Sequence, residues 1–188
     1  MKQRTLLILV LIFLGLAAIV LTPAGDDNGS GAATPTLPTF LRVYPNIAVL
    51  DILAVRISDP SSGDVLTFRR EDDGTWVADE VAGEIDQEIG TGVARTVALL
   101  PYTQTIDPPP NGDLAQFGFR VTSDGEVANF NIQIFMTDGS IHFVAIGDPL
   151  QIRPDFYALV DDRSEIYTIQ RSAIDYLAGY LDTLLPAQ

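Results

Sequence analysis

The amino-acid sequence predicts an α+β fold in which two units, each an antiparallel β-meander closed by a helix, follow an N-terminal transmembrane helix. Apolar residues alternate with a period of two on both sides of Asp138-Gly139, a pattern typical of a β-hairpin. In two other stretches, one before and one after this hairpin, apolar residues recur every three or four positions, as in amphipathic helices. An uncharged apolar run near the N-terminus completes the pattern.

The strongest strand pattern lies between Asn129 and Gln170. The alternating residues before and after the Asp138-Gly139 turn are Phe130, Ile132, Ile134, Met136, Ile141, Phe143 and Ala145. Two further strand-like runs follow at Phe156–Val160 and Glu165–Ile169. We therefore predict a four-stranded antiparallel meander in this region.

The first half of the domain shows a similar order. Strands are predicted at Ile52–Ser58, Val65–Arg70 and Thr75–Ala78, with Leu53, Val55 and Ile57 on the buried face of the first strand. Trp76, the only tryptophan, is expected in the core. A helix is predicted over Asp86–Leu100, and its glycines, Gly90 and Gly92, would permit close packing of another element. Tyr102–Ile106 is a candidate short strand.

The second half begins with Leu114–Phe119 and Val121, continues into the meander, and ends with a closing helix capped by Ser172 and Asp175. The hairpin sequences VRISDPSSGDVLTFRRE and IQIFMTDGSIHFVAIGD hold the same place in each half. This likeness favours an internal duplication with halves of about 40–110 and 111–188. A chance similarity of two hairpins is the alternative.

The N-terminal segment predicts export. Leu6–Leu21 is a run of sixteen apolar or glycine residues preceded by Lys2 and Arg4. Its length favours an uncleaved signal-anchor over residues 1–22, with a cleaved signal peptide as the alternative. The basic residues would stay in the cytoplasm and the domain at 40–188 would be extracytoplasmic. Residues 23–39, rich in Gly, Pro and Thr, are a predicted flexible linker.

The charge distribution argues against nucleic-acid binding. The chain carries 25 acidic and 11 basic residues, and without Lys2 and Arg4 nine arginines face the 25 acids, a net charge of −16. Such a surface repels nucleic acid and anionic lipid. The expected partners are the membrane, through Leu6–Leu21, and a protein of the cell envelope.

The sequence identifies no catalytic, cofactor-binding or metal-binding residue, and we expect neither a cofactor nor an enzyme. Cysteine is absent, which excludes thiolate chemistry. His142, the only histidine, is predicted to face solvent without a partner that could orient it. The acid pairs Asp72-Asp73 and Asp161-Asp162 fall in predicted turns, where aspartate is common for its local hydrogen bonds.

Short motifs across most of Asp51–Leu185 resemble the bacterial family called domain of unknown function 4340. They are Gly74-Thr75-Trp76, Ile85-Asp86, Leu114–Phe119, Thr137–Ser140, Ile146–Asp148, Phe156–Ala158 and Ile166–Ile169. The resemblance implies a membrane-tethered, exported α+β domain, sometimes found with transporter or gliding-type accessory components. It brings no catalytic residues with it.

Together these patterns predict a membrane-anchored, exported binding or accessory domain of an envelope or transporter-associated assembly. One alternative is a carboxylate-based hydrolase that uses acids near the Gly147–Pro154 loop. In the main interpretation this loop is a turn without a functional role. The other is a cleaved, secreted domain.

Overall fold

A computed structural model describes residues 41–122 and 125–185, and these form an α+β domain. The strands of the main sheet are β1 (Leu41–Arg42), β2 (Ile52–Asp59), β3 (Asp64–Arg70), β4 (Trp76–Ala78), β5 (Pro101–Ile106), β8 (Phe130–Met136), β9 (Ile141–Pro149), β10 (Asp155–Val160) and β11 (Ile166–Gln170). The helices are α1 (Gln87–Ala98) and α2 (Arg171–Leu184), and β6 (Arg120–Thr122) pairs with β7 (Gly125–Val127) in a separate ribbon.

The main sheet is a single antiparallel sheet of nine strands in the order β1-β5-β11-β10-β9-β8-β2-β3-β4. The prediction of two duplicated meander-plus-helix units is therefore wrong. The first strands of the two meanders pair with each other, with Val55 opposite Ile134 and Ile57 opposite Ile132. This pairing satisfies two strand edges at once and joins two apolar faces into one core. β5 also leaves the first half and pairs with β11 of the second.

The predicted four-stranded meander is confirmed as β8-β9-β10-β11. Its first turn has Gly139 at φ 86°, a left-handed conformation that glycine adopts without steric cost. The side chains of Phe130, Ile132, Ile134 and Met136 are buried on the face that the helices cover. The alternation of apolar residues with a period of two therefore correctly predicted which face of β8 is buried.

The predicted buried face of β2 is only partly correct. Val55 and Ile57 are buried, but Leu53 is exposed and Ile52 is buried in its place. The pairing of β2 with β8 shifts between Ile52 and Ala54, as at a β-bulge. One extra residue at a bulge reverses the alternation of side chains. The predicted buried face of β2 is therefore correct after Ala54 and wrong before it.

Both predicted helices are present, with different boundaries. Helix α1 begins after Asp86, whose carboxylate accepts a hydrogen bond from the Glu88 N–H at 2.9 Å. The predicted cap of α2 by Ser172 and Asp175 is wrong. Strand β11 runs directly into α2 at Arg171, whose N–H donates to the Pro154 carbonyl, so Ser172 already lies inside the helix.

The helices cover one face of the sheet, and the main core lies between them. The other face carries a smaller cluster over β9 and β10, with Phe119, Ala128 and Ala145 at its centre. In the Leu114–Phe119 segment, a 3₁₀ turn at Ala115–Phe117 ends at Gly118, whose φ of 86° redirects the chain before β6. The candidate strand at Tyr102–Ile106 is confirmed as β5.

Side chains cap the β3–β4 edge of the sheet. Gln87 binds both the N–H and the carbonyl of Trp76, at 2.6 and 3.0 Å. Glu80 accepts the Thr67 N–H at 2.6 Å. Occupied backbone groups offer no template to another strand, so this edge is closed to strand addition.

The predicted anchor (1–22) and linker (23–39) lie outside the described residues. Within the described part of the chain, no helix combines the length and the apolar character needed to span a bilayer.

Candidate functional site

A cluster of polar and aromatic side chains lies at one end of the main sheet. Because neighbouring strands are antiparallel, the β8–β9 turn, the β10–β11 turn and the start of β2 meet at this end. The β10–β11 turn supplies Asp161 and Arg163, and the start of β9 supplies His142. The segment between β1 and β2 contributes Tyr44.

The prediction that His142 faces solvent without a partner is wrong. His142 pairs with Ile134 across the sheet, which places it on the helix-covered face, while Ile141 and Phe143 point the other way. Its Nδ1 lies 3.1 Å from Asp161 Oδ2, and its ring centroid lies 4.7 Å from that of Tyr44. Side chains alternate along β9 as predicted, but Ile141 and Phe143 lie on the face opposite to the helix-covered one, and His142 lies on the helix-covered face.

Asp161 joins the elements of the cluster. Its backbone N–H donates to the Phe143 carbonyl at 2.8 Å, and its Oδ1 accepts the Phe143 N–H at 2.7 Å. The Tyr44 hydroxyl donates to the same Oδ1 at 3.3 Å. Asp161 has φ 47°, a left-handed conformation that is uncommon outside glycine but favoured by Asp and Asn among the rest. The predicted turn is confirmed, and the aspartate also binds groups remote in sequence.

Arg163 also contacts Tyr44. Its Nη1 donates to the Val43 carbonyl and to the Tyr167 hydroxyl, both at 3.0 Å. Its guanidinium carbon lies 5.4 Å from the ring centroid of Tyr44 and 5.5 Å from that of Tyr167. Such contacts with an arginine stabilise aromatic rings in place. Tyr44 therefore contacts both the Arg163 guanidinium and the His142 ring.

Burial, reinforced by the negative charge of Asp161, raises the pKa of Tyr44 well above its usual range. The hydroxyl therefore stays protonated at every physiological pH and acts as a hydrogen-bond donor. It is unsuited to act as a base or a nucleophile.

The cluster borders a cleft of about 440 Å³, which we call the first cleft. The other residues that line it come from the Pro45–Asp51 segment and the β8–β9 turn, namely Pro45, Asn46, Ile47, Asp51, Met136, Thr137, Asp138 and Ser140. Ser140 donates its N–H and its hydroxyl to Asp138 Oδ1, and these bonds lower the pKa of Asp138. Asp138 is therefore ionised at neutral pH.

The chemistry of the first cleft favours binding. His142 and Asp161 have the contact of a base and its orienting carboxylate, a feature that the sequence analysis did not find. However, Ser140, two residues before His142, directs its hydroxyl to Asp138 in the β8–β9 turn. No hydroxyl in the described ranges forms a hydrogen bond with the imidazole. Among the described residues, the His142–Asp161 pair thus lacks the hydroxyl partner that such a histidine activates in acyl transfer.

A second cleft of about 480 Å³ lies beside the first and shares Thr137 with it. The rest of its lining is Val49, Leu50, Leu53, Arg70, Glu71, Asp72, Gly74, Trp76 and Thr91. Trp76 is buried, which confirms its predicted core position, and the Arg70 guanidinium carbon lies 5.9 Å from its ring centroid. The Asp72-Asp73 pair lies in a turn as predicted, with Asp73 accepting two bonds from Thr75.

The Gly147–Pro154 region, where the hydrolase alternative places its acids, is closely packed at its start. A Cβ at Gly147 would lie 2.1 Å from the Phe117 carbonyl oxygen. Asp148 accepts from the Asn129 amide at 2.9 Å, and Asp155 is buried and accepts from the Thr103 hydroxyl at 3.0 Å. A depression of about 370 Å³ at Pro154 is lined by Asp155 and Asp175, among others.

The described residues contain no cluster of three His, Asp or Glu side chains arranged for a metal ion. Comparison with known proteins finds no matching family model, no similar curated protein and no similar solved structure.

Proposed function

We propose that this chain is a membrane-anchored, exported domain that binds a protein partner in an envelope assembly and performs no catalysis itself. The observation that carries the proposal is the first cleft, whose wall is fixed by hydrogen bonds of Asp161, Tyr44 and Arg163 and where, among the described residues, the His142 imidazole bonds to Asp161 but to no hydroxyl. A fixed wall lowers the entropic cost of binding because fewer side chains must be ordered.

The sequence supports the location. The apolar run at Leu6–Leu21 and the basic residues before it favour an anchor with the domain outside the cytoplasm. The resemblance to the domain of unknown function 4340 family supports an envelope or transporter-associated assembly. That membership stays a prediction.

Single-cysteine photocrosslinking tests the binding role. The chain has no native cysteine, so Ser140→Cys at the first cleft and Ser62→Cys in the β2–β3 turn can each carry a benzophenone. The two positions are matched, because both are exposed serines in hairpin turns that bond to a nearby aspartate. They lie at opposite ends of the sheet.

In membranes of producing cells, we expect a discrete adduct from Ser140→Cys and none from Ser62→Cys. Adducts from neither position, or the same adducts from both, would count against a binding site at the first cleft.

A carboxylate-based hydrolase is the second candidate, favoured by the depression that Asp155 and Asp175 line. It predicts hydrolysis of ester or glycoside substrates that Asp175→Asn reduces by about 100-fold or more, as for loss of a general acid or base. Asp182→Asn, on the same helix, is the control. Equal activity of the two variants would exclude this candidate.

A further inference from the structure

We propose that the end of the sheet holding both clefts docks a partner segment in which basic residues alternate with apolar ones. This inference rests on the proposed function, because it specifies the chemistry of the partner that the domain binds.

The two clefts form one continuous surface. Thr137 lines both, and the 3₁₀ turn at Val49–Asp51 lies between them, with Asp51 on the first cleft and Leu50 on the second. The Thr137 N–H donates to the Asp51 carbonyl at 2.8 Å, and Arg70 donates to the Leu50 carbonyl. The turn is thus held to the sheet from both sides, and a bound segment would meet a fixed surface.

Apolar side chains are exposed at this surface. Leu50 is 76% exposed and Leu53 is 42% exposed, the latter because the bulge in β2 turns it outward. We call these two residues the leucine ridge. Grouped exposed apolar residues mark interaction sites more often than single ones.

The charges around the leucine ridge are acidic. Asp51 and Asp138 border the first cleft, and Glu71 and Asp72 border the second. Three cations nearby are engaged within the domain, and one of them, Arg69, pairs with Glu71 itself at 2.8 Å. Arg163 bonds to the Val43 carbonyl and the Tyr167 hydroxyl, and Arg70 bonds to the Leu50 carbonyl.

Beyond residue 4, the chain has a net charge of −16, which adds a long-range field of the same sign. A basic partner is therefore the complementary one. Alternating apolar side chains would contact the ridge while basic ones met the flanking carboxylates.

The test uses the full chain in zwitterionic lipid nanodiscs and three fluorescein-labelled peptides. Within Gly-Ser flanks they carry Arg-Leu-Arg-Leu-Arg, Glu-Leu-Glu-Leu-Glu or Arg-Ser-Arg-Ser-Arg. Fluorescence anisotropy measures binding, and empty nanodiscs give the background. We expect the first peptide to bind at least about tenfold more tightly than the other two, because it alone meets both the ridge and the carboxylates.

Two variants and their controls assign the surface. Leu50→Ser should weaken binding of the first peptide about tenfold, as for an apolar anchor residue, and the 76% exposure of Leu50 leaves the fold intact. Asp72→Asn should weaken binding less and reduce its salt dependence. The controls are Ile152→Ser, a 91% exposed apolar residue at the opposite end of the sheet, and Asp182→Asn on α2. Both should bind as the unaltered chain does.

Equal binding of the acidic peptide, no binding of the Arg-Leu peptide, or an equal effect of Ile152→Ser and Leu50→Ser would overturn this inference. If the Ser140→Cys adduct still forms in that case, the proposed function stands and only the partner chemistry is wrong. If the peptide binds as expected but no adduct forms, the proposed function fails by its own test.

Discussion

At the scale of single residues, Asp161 has the most consequential position in the site. It binds a neighbouring strand through Phe143, a remote loop through Tyr44, and the only histidine of the chain. The turn at Asp161-Asp162 was predictable from the sequence, because aspartate favours turns. Its contacts were not, since Tyr44 is 117 positions away and His142 is 19 away. Local patterns do not report which remote groups meet.

Removing the Asp161 carboxylate should destabilise the domain. Asp161→Ala leaves the Phe143 N–H without its acceptor and the buried Tyr44 hydroxyl with only the Phe143 carbonyl, at 3.4 Å, and it puts alanine in a left-handed conformation. We expect a loss of about 2 kcal/mol in the free energy of unfolding, measured with urea. Asp161→Asn, which tolerates the backbone conformation and keeps one acceptor oxygen, should cost less. Asp162→Ala is the neighbouring control and should change little; an equal loss in that variant would contradict the role given to Asp161.

Ser140 sets the ionisation of Asp138 at the first cleft. Ser140→Ala removes the hydroxyl hydrogen bond, the largest contribution that lowers the pKa of Asp138, but keeps the backbone N–H bond. The pKa of Asp138 should therefore rise part of the way toward 3.8, as followed by carbon NMR titration.

A lowered pKa in the folded state stabilises the fold above the unfolded-state value, and this stabilisation is lost as the pH falls through the folded value. Ser140→Ala should thus reduce the loss of stability on acidification. An unchanged Asp138 titration would show that the hydroxyl bond has no role, and Ser62→Ala is the matched control.

At the scale of elements, the packing of α1 against the sheet and against α2 depends on its glycines. The sequence analysis predicted close packing at Gly90 and Gly92, and the structure confirms it at both. A Cβ at Gly90 would lie 2.3 Å from Cγ of Trp76, and one at Gly92 would lie 2.3 Å from the Tyr176 hydroxyl. The sequence showed where small residues occur, but the identity of their neighbours required the fold.

Three glycine-to-alanine substitutions separate close packing from helix propensity. Gly90→Ala should destabilise the domain by about 2 kcal/mol. The added methyl group would overlap Cβ and Cγ of the buried Trp76, which lie close to the Trp76 backbone and cannot move aside easily. Gly92→Ala should be nearly neutral, since the end of the Tyr176 side chain can move.

Gly179→Ala in α2 should stabilise by about 0.5–1 kcal/mol, because a Cβ there meets nothing within 4 Å. Urea unfolding measures all three. A stabilising Gly90→Ala would contradict the contact with Trp76.

At the scale of the whole molecule, periodicity predicted most strands and both helices because burial alternates regularly along them. It failed where one residue changes the pattern, as at the Leu53 bulge. Periodicity also does not predict the order of the strands in the sheet. Two meanders can form two small sheets or join at their first strands, and the pairing of β2 with β8 decides between these arrangements.

The central claim is an exported domain held by an uncleaved anchor, and the absence of cysteine makes its location measurable. Ser62→Cys places one thiol on an exposed turn far from the first cleft. Labelling of intact producing cells with a membrane-impermeant maleimide, followed by mass measurement of the labelled chain, tests both parts at once. We predict labelling without lysis, on a membrane-bound chain that retains the Leu6–Leu21 segment. Labelling only after lysis, or a labelled chain that lacks this segment, would contradict the claim.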